Sequence, residues 1–527
     1  MTELLHELVL RTASRTPQAI AIRFGQSTMD YAALGAQIES VAGGLRTLGL
    51  GKLERAAVYL PKRPETVAAM FGISRAGGAF VPVNSLLKPP QVKHILTDCN
   101  VRVLITSESR FVDLAPALAE CADLRSVVLL PDQEPQRPAQ LPFHVVGWPE
   151  FLSSGASALH HRTIDADMTA IFYTSGSTGK PKGVVLSHQN MVTGAYSVSQ
   201  YLENTPDDRL LAVLPFSFDY GFSQLSTAFK TGASVILLDY LLARDVIATA
   251  KREGATGLAG VPPLWAQLAA LEWPEEVRNS LRYITNSGGA MPSATLGRLR
   301  AALPRTRAFL MYGLTEAFRS TYLPPDQVDR RPDSIGKAIP NAEILVVRPD
   351  GTLCDADEPG ELVHRGSLVA LGYWNDAAKT AERFKPMPNQ DPGLKLTEIA
   401  VWSGDTVRRD AEGYLYFVGR RDEMIKTSGY RVSPTEVEEV AYASGLVTDA
   451  VAVGATHPSL GQAIVLVVAG PNQDTAALLD AMRRALPAFM VPQQILWRDS
   501  LPRNPNGKFD RPGIAVDVKD LYAGASK

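Results

Sequence analysis

Residues 173–183, YTSGSTGKPKG, combine glycines, hydroxyls and two lysines with almost nothing to bury. Such a stretch can hold phosphate. Glycine lets backbone N–H groups turn inward toward an anion, while Thr174, Ser175, Ser177 and Thr178 add hydroxyl donors and Lys180 and Lys182 add charge. A second stretch, PRNPNGK at 502–508, is a tight turn that projects the cation of Lys508. The first stretch is not a P-loop, whose G-x-x-x-x-G-K-[ST] spacing needs Gly where Thr174 stands and a hydroxyl where Pro181 stands. The bland alternative is a flexible surface linker, but apolar strand runs at 168–173 (MTAIFY) and 184–186 flank the loop.

The elements that must position these residues alternate along the chain. An amphipathic helix opens it, and residues 31–48 form a second helix ending at Gly49 and Gly51. Strand 56–60, helix 64–76, strand 79–83, helix 91–98 and strand 101–106 then argue for parallel sheet with helices on its faces. A second α/β run follows the glycine loop, with strands at 210–214, 233–238, 257–261, 283–286 and 308–312. Its loops at Pro215, Ser287 and Gly313 fall at strand C-terminal ends, the edge where open α/β sheets bind ligands. Residues 131–149 and 385–392 are proline-rich and read as surface connections. Near residues 413–428 a strand runs into a string of charges. Beyond it Ser433 and Glu436 have capping-box spacing, with Pro434 opening a helix to Tyr442. Strands at 450–453, 463–468 and 495–497 and a helix at 475–486 complete a unit of about a hundred residues. The expected domains are 1–420 and 421–527, joined by a hinge at Arg420–Asp422, and no internal repeat is present.

The bulk properties bound the function. A length of 527 residues corresponds to about three domain-sized units and so to at least one inter-domain cleft. A formal net charge of −2 without long like-charge runs gives no reason to expect a nucleic acid or an anionic membrane as partner. Cys99, Cys121 and Cys354 are too scattered for a disulfide framework or a zinc site and read as reduced thiols in a cytoplasmic protein. The N-terminal stretch carries Glu3 and Glu7, unlike a signal peptide, the run 235–242 is broken by Asp239, and GASK is not a peroxisomal SKL address.

In its motifs the chain resembles the adenylate-forming superfamily of acyl-CoA synthetases, amino-acid adenylation domains and luciferases. YTSGSTGKPKG at 173, YGLTE at 312, SGD at 403, GRRDEMIKTSGYRVSPTEVE at 419 and PRNPNGK ending at Lys508 occur in the superfamily's order over essentially the whole chain. More narrowly, LPFSFDYGFSQL and YGLTEAFRSTYLPP resemble AMP-forming ligases associated with exosortase A loci. The resemblance implies an α/β fold, with a large N-terminal domain of stacked α/β subdomains and a small C-terminal α+β domain on a hinge. It also implies two half-reactions, adenylation of a carboxylic acid by ATP and transfer of the acyl group to a thiol. ATP, Mg²⁺, and the phosphopantetheine of CoA or of a separate carrier protein are the implied cofactors and acceptors. The enzyme is expected as a monomer or homodimer.

By the same resemblance Thr174, Ser175, Gly176, Thr178 and Lys182 would hold the β- and γ-phosphates, with Gly288 also in the nucleotide site. Thr315 would bind the α-phosphate, Glu316 would help hold Mg²⁺, and Tyr312 would stack on adenine. Asp405 would accept from both ribose hydroxyls, although an Asp in an S-G-D-T stretch can be turn chemistry alone. Arg420 would contact ribose or phosphate, and Asp422 would absorb the rotation of the small domain. Lys508 would neutralise charge developing on the carboxylate and α-phosphate oxygens. The catalytic set is thus Lys508, Glu316 and Thr174.

Asp219 aligns with the position where amino-acid adenylation domains anchor a substrate ammonium. It could instead cap a helix or pair with Arg319. Thr285, Ser287, Met311 and Arg319 align around the acyl site, with Trp265 nearby. A buried, unpaired guanidinium is costly, so Arg319 favours a small polar or amino acid over a simple aliphatic chain. The alternatives are a medium- or long-chain fatty acyl-CoA synthetase, a luciferase-like oxidoreductase and a non-catalytic nucleotide-binding protein.

Overall fold

The computed structural model describes residues 4–132, 141–155, 161–174, 181–420, 423–427, 430–457, 460–486, 488–505 and 507–522, with the side chains of Arg420, Lys426, Tyr430 and Arg431 left out. Among the described residues the first α/β run builds an 8-stranded sheet. Parallel neighbours Arg55–Tyr59, Ala79–Pro82, Val101–Ser107, Ser126–Leu130 and His144–Gly147 are continuous with Met168–Thr174. Lys182–Ser187 then pairs antiparallel with Met168–Thr174, so the glycine loop connects two hydrogen-bonded strands. The second run forms the parallel centre of a 14-stranded sheet, through Arg209–Ala212, Ser234–Leu237, Gly257–Gly260, Tyr283–Asn286 and Arg307–Tyr312.

Two helices fill the space between these sheets. Pro64–Arg75 and Asp219–Thr231 are buried on nearly every side, the second with Asp219, Ser223, Ser226 and Thr227 among its buried residues. Phe71, Phe80, Phe172, Phe222 and Phe229 interlock there with ring centroids 5.1–5.8 Å apart. Offset and edge-on aromatic pairs of this kind add to the area they bury. A Cβ on Gly221 would lie 2.0 Å from the Pro215 carbonyl, so only glycine lets the first turn of Asp219–Thr231 sit this close to the preceding loop. That approach fixes where Asp219 is presented.

The structure departs from the sequence reading, or adds to it, at several places. The 131–149 interval is not all connection, since His144–Gly147 adds an edge strand and Trp148–Ser153 is a helix with Pro149 in its first turn. The stretch 321–420 builds an antiparallel extension of the large sheet through Ser334–Ala338, Leu415–Arg420, Ile399–Arg409, Gly360–Gly366 and Ala342–Val347. Asp405 lies within the strand Ile399–Arg409 rather than in a turn between elements, although Gly404 before it has a left-handed φ of 72°. Finally, Ser433 is the residue before the helix Pro434–Ala443, but its side chain makes no capping bond and its Oγ is buried without a partner, so the capping box does not form.

The described residues between 423 and 522 form a third, 5-stranded sheet around the paired strands Asp449–His457 and Gly461–Ala469, with its own apolar core. Its helix Pro434–Ala443 packs on Ser293–Ala302 of the large unit. Burial pushes the Glu439 carboxyl at this contact up to about 7, with the negative charges of Glu438 and Asp333 acting in the same direction. A raised carboxyl favours the proton-bound, docked form. Its contribution is full below the ordinary value of 4.5 and is lost as pH rises through about 7. A dye pair spanning the two units should report separation increasing between pH 5 and pH 8 in the wild type, and Glu439→Gln should flatten that profile. No helix among the described residues is long and apolar enough to cross a membrane.

Candidate active site

Lys508 reaches the large unit from a hairpin of the small one. Asn504 and Lys508 bond through Asn504 N–H to the Lys508 carbonyl at 2.7 Å and Lys508 N–H to Asn504 Oδ1 at 3.1 Å, and Gly507 turns with a φ of 82°. The Arg503 guanidinium braces the hairpin by pairing with Asp449 at 2.9 Å and lying over the Phe509 ring. Across the junction Asn84 Nδ2 donates to the Pro505 carbonyl at 2.9 Å. The Lys508 ammonium lies over the Phe218 ring, 4.9 Å from its centroid, next to the start of the helix Asp219–Thr231. Its stem passes Gly288, where a Cβ would stand 2.9 Å from Cε and where φ is 81°. Gly288→Ala therefore meets backbone strain of about 1–2 kcal/mol as well as a displaced lysine. Carboxylate-dependent ATP–pyrophosphate exchange should fall roughly tenfold or more at nearly unchanged melting temperature, and an unchanged rate would contradict this packing.

Thr315 and Glu316 occupy a 3₁₀ turn after the strand Arg307–Tyr312. The turn ends at Phe318 with a φ of 55°, a conformation a bulky residue rarely adopts, and leads directly to Arg319. The Thr315 hydroxyl donates to Asp219 Oδ1 at 3.2 Å, and Glu316 Oε1 accepts from the Tyr373 hydroxyl at 2.5 Å. Lys182 Nζ is 5.8 Å from the centre of the same Tyr373 ring, so the strand after the glycine loop and the Glu316 turn meet at one tyrosine. Burial pushes the Lys182 ammonium down from its usual value, and the nearby Lys379 cation adds to this. An anion close by would reverse that shift.

Tyr312 and Asp405 are joined directly, the phenol donating to Asp405 Oδ2. The Tyr312 ring lies 6.2 Å from that of Phe417. Asp405 faces Arg420 across the antiparallel pair of strands, and Ser403 Oγ accepts from the Asp405 N–H. Thr174 is the cross-strand partner of Lys182. Ser175, Gly176, Thr178 and the hinge residue Asp422 lie outside the described residues, and Arg420 is described in its backbone alone.

Asp219 is 4% exposed and is the first residue of its helix. The residue before the helix is Phe218, and no side-chain cap bond forms, so the capping role falls away. Pairing with Arg319 falls away too. Arg319 acts on Asp219 through space, but no ion pair joins them, and its Nη2 donates to Ser223 Oγ at 3.3 Å instead. Burial pushes the Asp219 carboxyl above its ordinary value, with the charges of Arg319 and Lys508 pulling the other way. Thr285 and Ser287 are buried at the end of the strand Tyr283–Asn286, Thr285 sharing a 2.5 Å bond with the Tyr220 hydroxyl. The Met311 sulfur accepts from the Tyr201 hydroxyl, and the Trp265 indole N–H is buried without a partner.

Sequence reasoning did not single out Tyr373, Asn84, Phe218, Tyr220 or Ser223. The last three lie in the FSFDYGFS stretch and were open to notice. Tyr373 and Asn84 carried no local signal, because pairing of Gly372–Tyr373 with Lys182–Ser187 and docking of the 504–508 hairpin bring them in.

A two-unit α/β chain, with a lysine of the small unit delivered to strand ends of the large one, is the adenylate-forming ligase fold. It superposes on ATP-bound MatB from Rhodopseudomonas palustris with a TM-score of 0.84 at 25% identity, covering 99% of this chain and 100% of that one. Family models match as well, AMP-binding enzyme over residues 9–374 and AMP-binding enzyme C-terminal domain over 436–508. The chain belongs to the AMP-binding enzyme family. It is 30% identical to L-proline--[L-prolyl-carrier protein] ligase of Pseudomonas fluorescens over 98% of this chain and 100% of the relative. It is 29% identical to indoleacetate--CoA ligase of Aromatoleum aromaticum over 98% of each. The chain spans only 8% of a bacitracin synthase and 10% of a linear gramicidin synthase that it also matches.

Proposed function

We propose that the protein is an ATP-dependent, AMP-forming acid–thiol ligase acting on a small polar or amino acid. The observation that carries this reading is the convergence of Lys508, Gly288, Thr315 and Asp219 at the strand ends, from four separate stretches of chain. In the first half-reaction a carboxylate oxygen attacks the α-phosphorus of ATP, the α–β bridging P–O bond breaks and pyrophosphate leaves. In the second, a thiol sulfur attacks the acyl carbon, its proton leaves, and the bond to AMP breaks. Chemistry of this kind needs positioning and charge neutralisation more than covalent help.

Each residue then has a task. Lys508 sits where it can neutralise the oxygens of the attacking carboxylate and the α-phosphate. Thr174 and Lys182, with Ser175, Gly176 and Thr178 of the loop, hold the leaving phosphates. Thr315 positions the α-phosphate, Gly288 leaves room for nucleotide and lysine, and Asp405, held by Tyr312, takes the ribose with Arg420. Glu316 fits a hard cation. Among the described residues no group of three His, Cys, Asp or Glu could hold a metal alone, so magnesium here would take Glu316 together with phosphate oxygens. When bound it would supply charge neutralisation on the pyrophosphate.

The acceptor is phosphopantetheine, of CoA or of a carrier protein, as the names of the two full-length relatives support. Asp219 is the anchor for a substrate ammonium. A medium- or long-chain fatty acid fits worse, because Asp219 and Arg319 would both stay buried against hydrocarbon. The three cysteines are free and buried, in keeping with a reducing cytoplasm. Rotation of the small domain about Asp422 would bring the second half-reaction into register. The test is ATP–pyrophosphate exchange over amino, dicarboxylic and fatty acids, followed by CoA and carrier proteins as acceptors. Activity confined to long-chain fatty acids would refute the substrate reading.

A further inference from the structure

Arg319 is a buried cation with an incomplete set of partners. It is 2% exposed, its Nε has no hydrogen-bond partner, and its one side-chain acceptor is the Ser223 hydroxyl. The guanidinium lies 4.7 Å from the centre of the Tyr220 ring and 6.0 Å from that of Phe318. Ring faces offset part of the lost hydration of a cation, but they do not take up N–H donors. Taking a charge out of water costs several kcal/mol unless a partner is supplied, and no described carboxylate forms an ion pair with this one. The planar fork of N–H groups matches a carboxylate or carbonyl oxygen.

The place of this cation decides what should fill the gap. Ser223 follows Asp219 by four residues on the helix Asp219–Thr231, so the two side chains share a face about one turn apart, about 6 Å along the axis. Arg319 is bonded at the Ser223 level, while Asp219 takes the Thr315 hydroxyl. The site therefore presents a negative group beside the Thr315 turn and a positive group one turn further along, close enough to feel each other but not in contact. A ligand that satisfies both carries a cation near its reacting carboxyl and an acceptor beyond it.

We infer that Arg319 sets the substrate class, and that the acid is an amino acid whose side chain ends in a carboxylate or carbonyl, of the aspartate, glutamate or asparagine type. This rests on the ligase reading above. An alkyl or aryl side chain would leave Arg319 unpaired, a basic one would be repelled, and a plain dicarboxylic acid would place no cation against Asp219. The neutral ring of His364, its pKa pushed down to about 3 by burial, holds Ser320 at 2.9 Å and so steadies the residue next to Arg319 without competing for an anion.

The experiment is ATP–pyrophosphate exchange by the full chain with L-aspartate, L-glutamate, L-asparagine, L-alanine, L-leucine and succinate. One of the first three should exceed the last three in kcat/KM by about a hundredfold or more. Arg319→Met should raise KM for that amino acid and move preference toward alanine or leucine, and Ser223→Ala should shift it the same way to a smaller degree with the fold intact. Exchange best with leucine or succinate, or an Arg319→Met enzyme that keeps its preference for the acidic or amide side chain, overturns the inference while the ligase reading stands. Exchange with none of the acids, in an enzyme that also fails with the wider panel, overturns both.

Discussion

Lys508→Ala is expected to lower acid-dependent ATP–pyrophosphate exchange by about a hundred- to a thousandfold, the loss seen when a preorganised charge-stabilising donor is removed. The physical case is the delivery of this one ammonium. The 503–509 hairpin is held by internal bonds, braced by the Arg503–Asp449 pair and tied to the large unit by Asn84. None of those contacts uses the lysine side chain, so the variant should keep its fold and its docking. The ammonium faces Phe218 and acts on the buried Asp219 carboxyl, so it lies beside the proposed acid pocket. Transfer of a chemically supplied acyl-adenylate to the thiol should survive the substitution, because that step no longer needs charge neutralised at the α-phosphorus. Loss of both half-reactions together would assign the lysine a structural role instead.

Asp219→Asn is expected to raise KM for amino substrates by about 30-fold or more, since removing one partner of a buried charge pair costs about 2–5 kcal/mol. A des-amino analogue of the same acid should be affected far less. The pH dependence has a definite sign. Burial holds the Asp219 carboxyl above its ordinary value in the structure. The ionised form is the one that binds an ammonium, so affinity for an amino acid should be lost as pH falls through that raised value, at a higher pH than for an ordinary carboxylate. The des-amino analogue should lack this acid limb. A variant with equal losses for both ligands would remove Asp219 from ammonium recognition.

Much of the site was legible in the chain. The two apolar runs on either side of 173–183 foretold the paired strands that flank that loop, and loops at 215, 287 and 313 were placed at strand ends by the period of the apolar residues alone. The antiparallel block of residues 321–420 was not legible. Its strands are punctuated by charged residues and turns and lack the strand–helix alternation that marked the rest, so the strand that carries Asp405 was not foreseen, although its ribose role was expected from the SGD motif. The capping spacing at Ser433 and Glu436 failed for a related reason, because local spacing cannot show that a serine hydroxyl will be buried in the fold. Asp219 shows the same limit from the other side. An Asp before a helical run is a good cap, yet here the helix starts one residue earlier than the cap requires, and the carboxyl turns to Thr315. Tyr373 and Asn84 were out of reach, since only strand pairing and domain docking bring them to the site.

An acyl-adenylate, formed from ATP and the acid, is the intermediate expected of this chain. The most direct measurement incubates the wild-type protein with ATP, magnesium and the amino-acid panel, adds hydroxylamine to trap activated acyl groups, and analyses the nucleotide products. AMP, pyrophosphate and one amino-acid hydroxamate are expected in equal amounts, all three depending on the acid. ADP and phosphate in place of AMP and pyrophosphate, or AMP released without any acid-dependent hydroxamate, would contradict it.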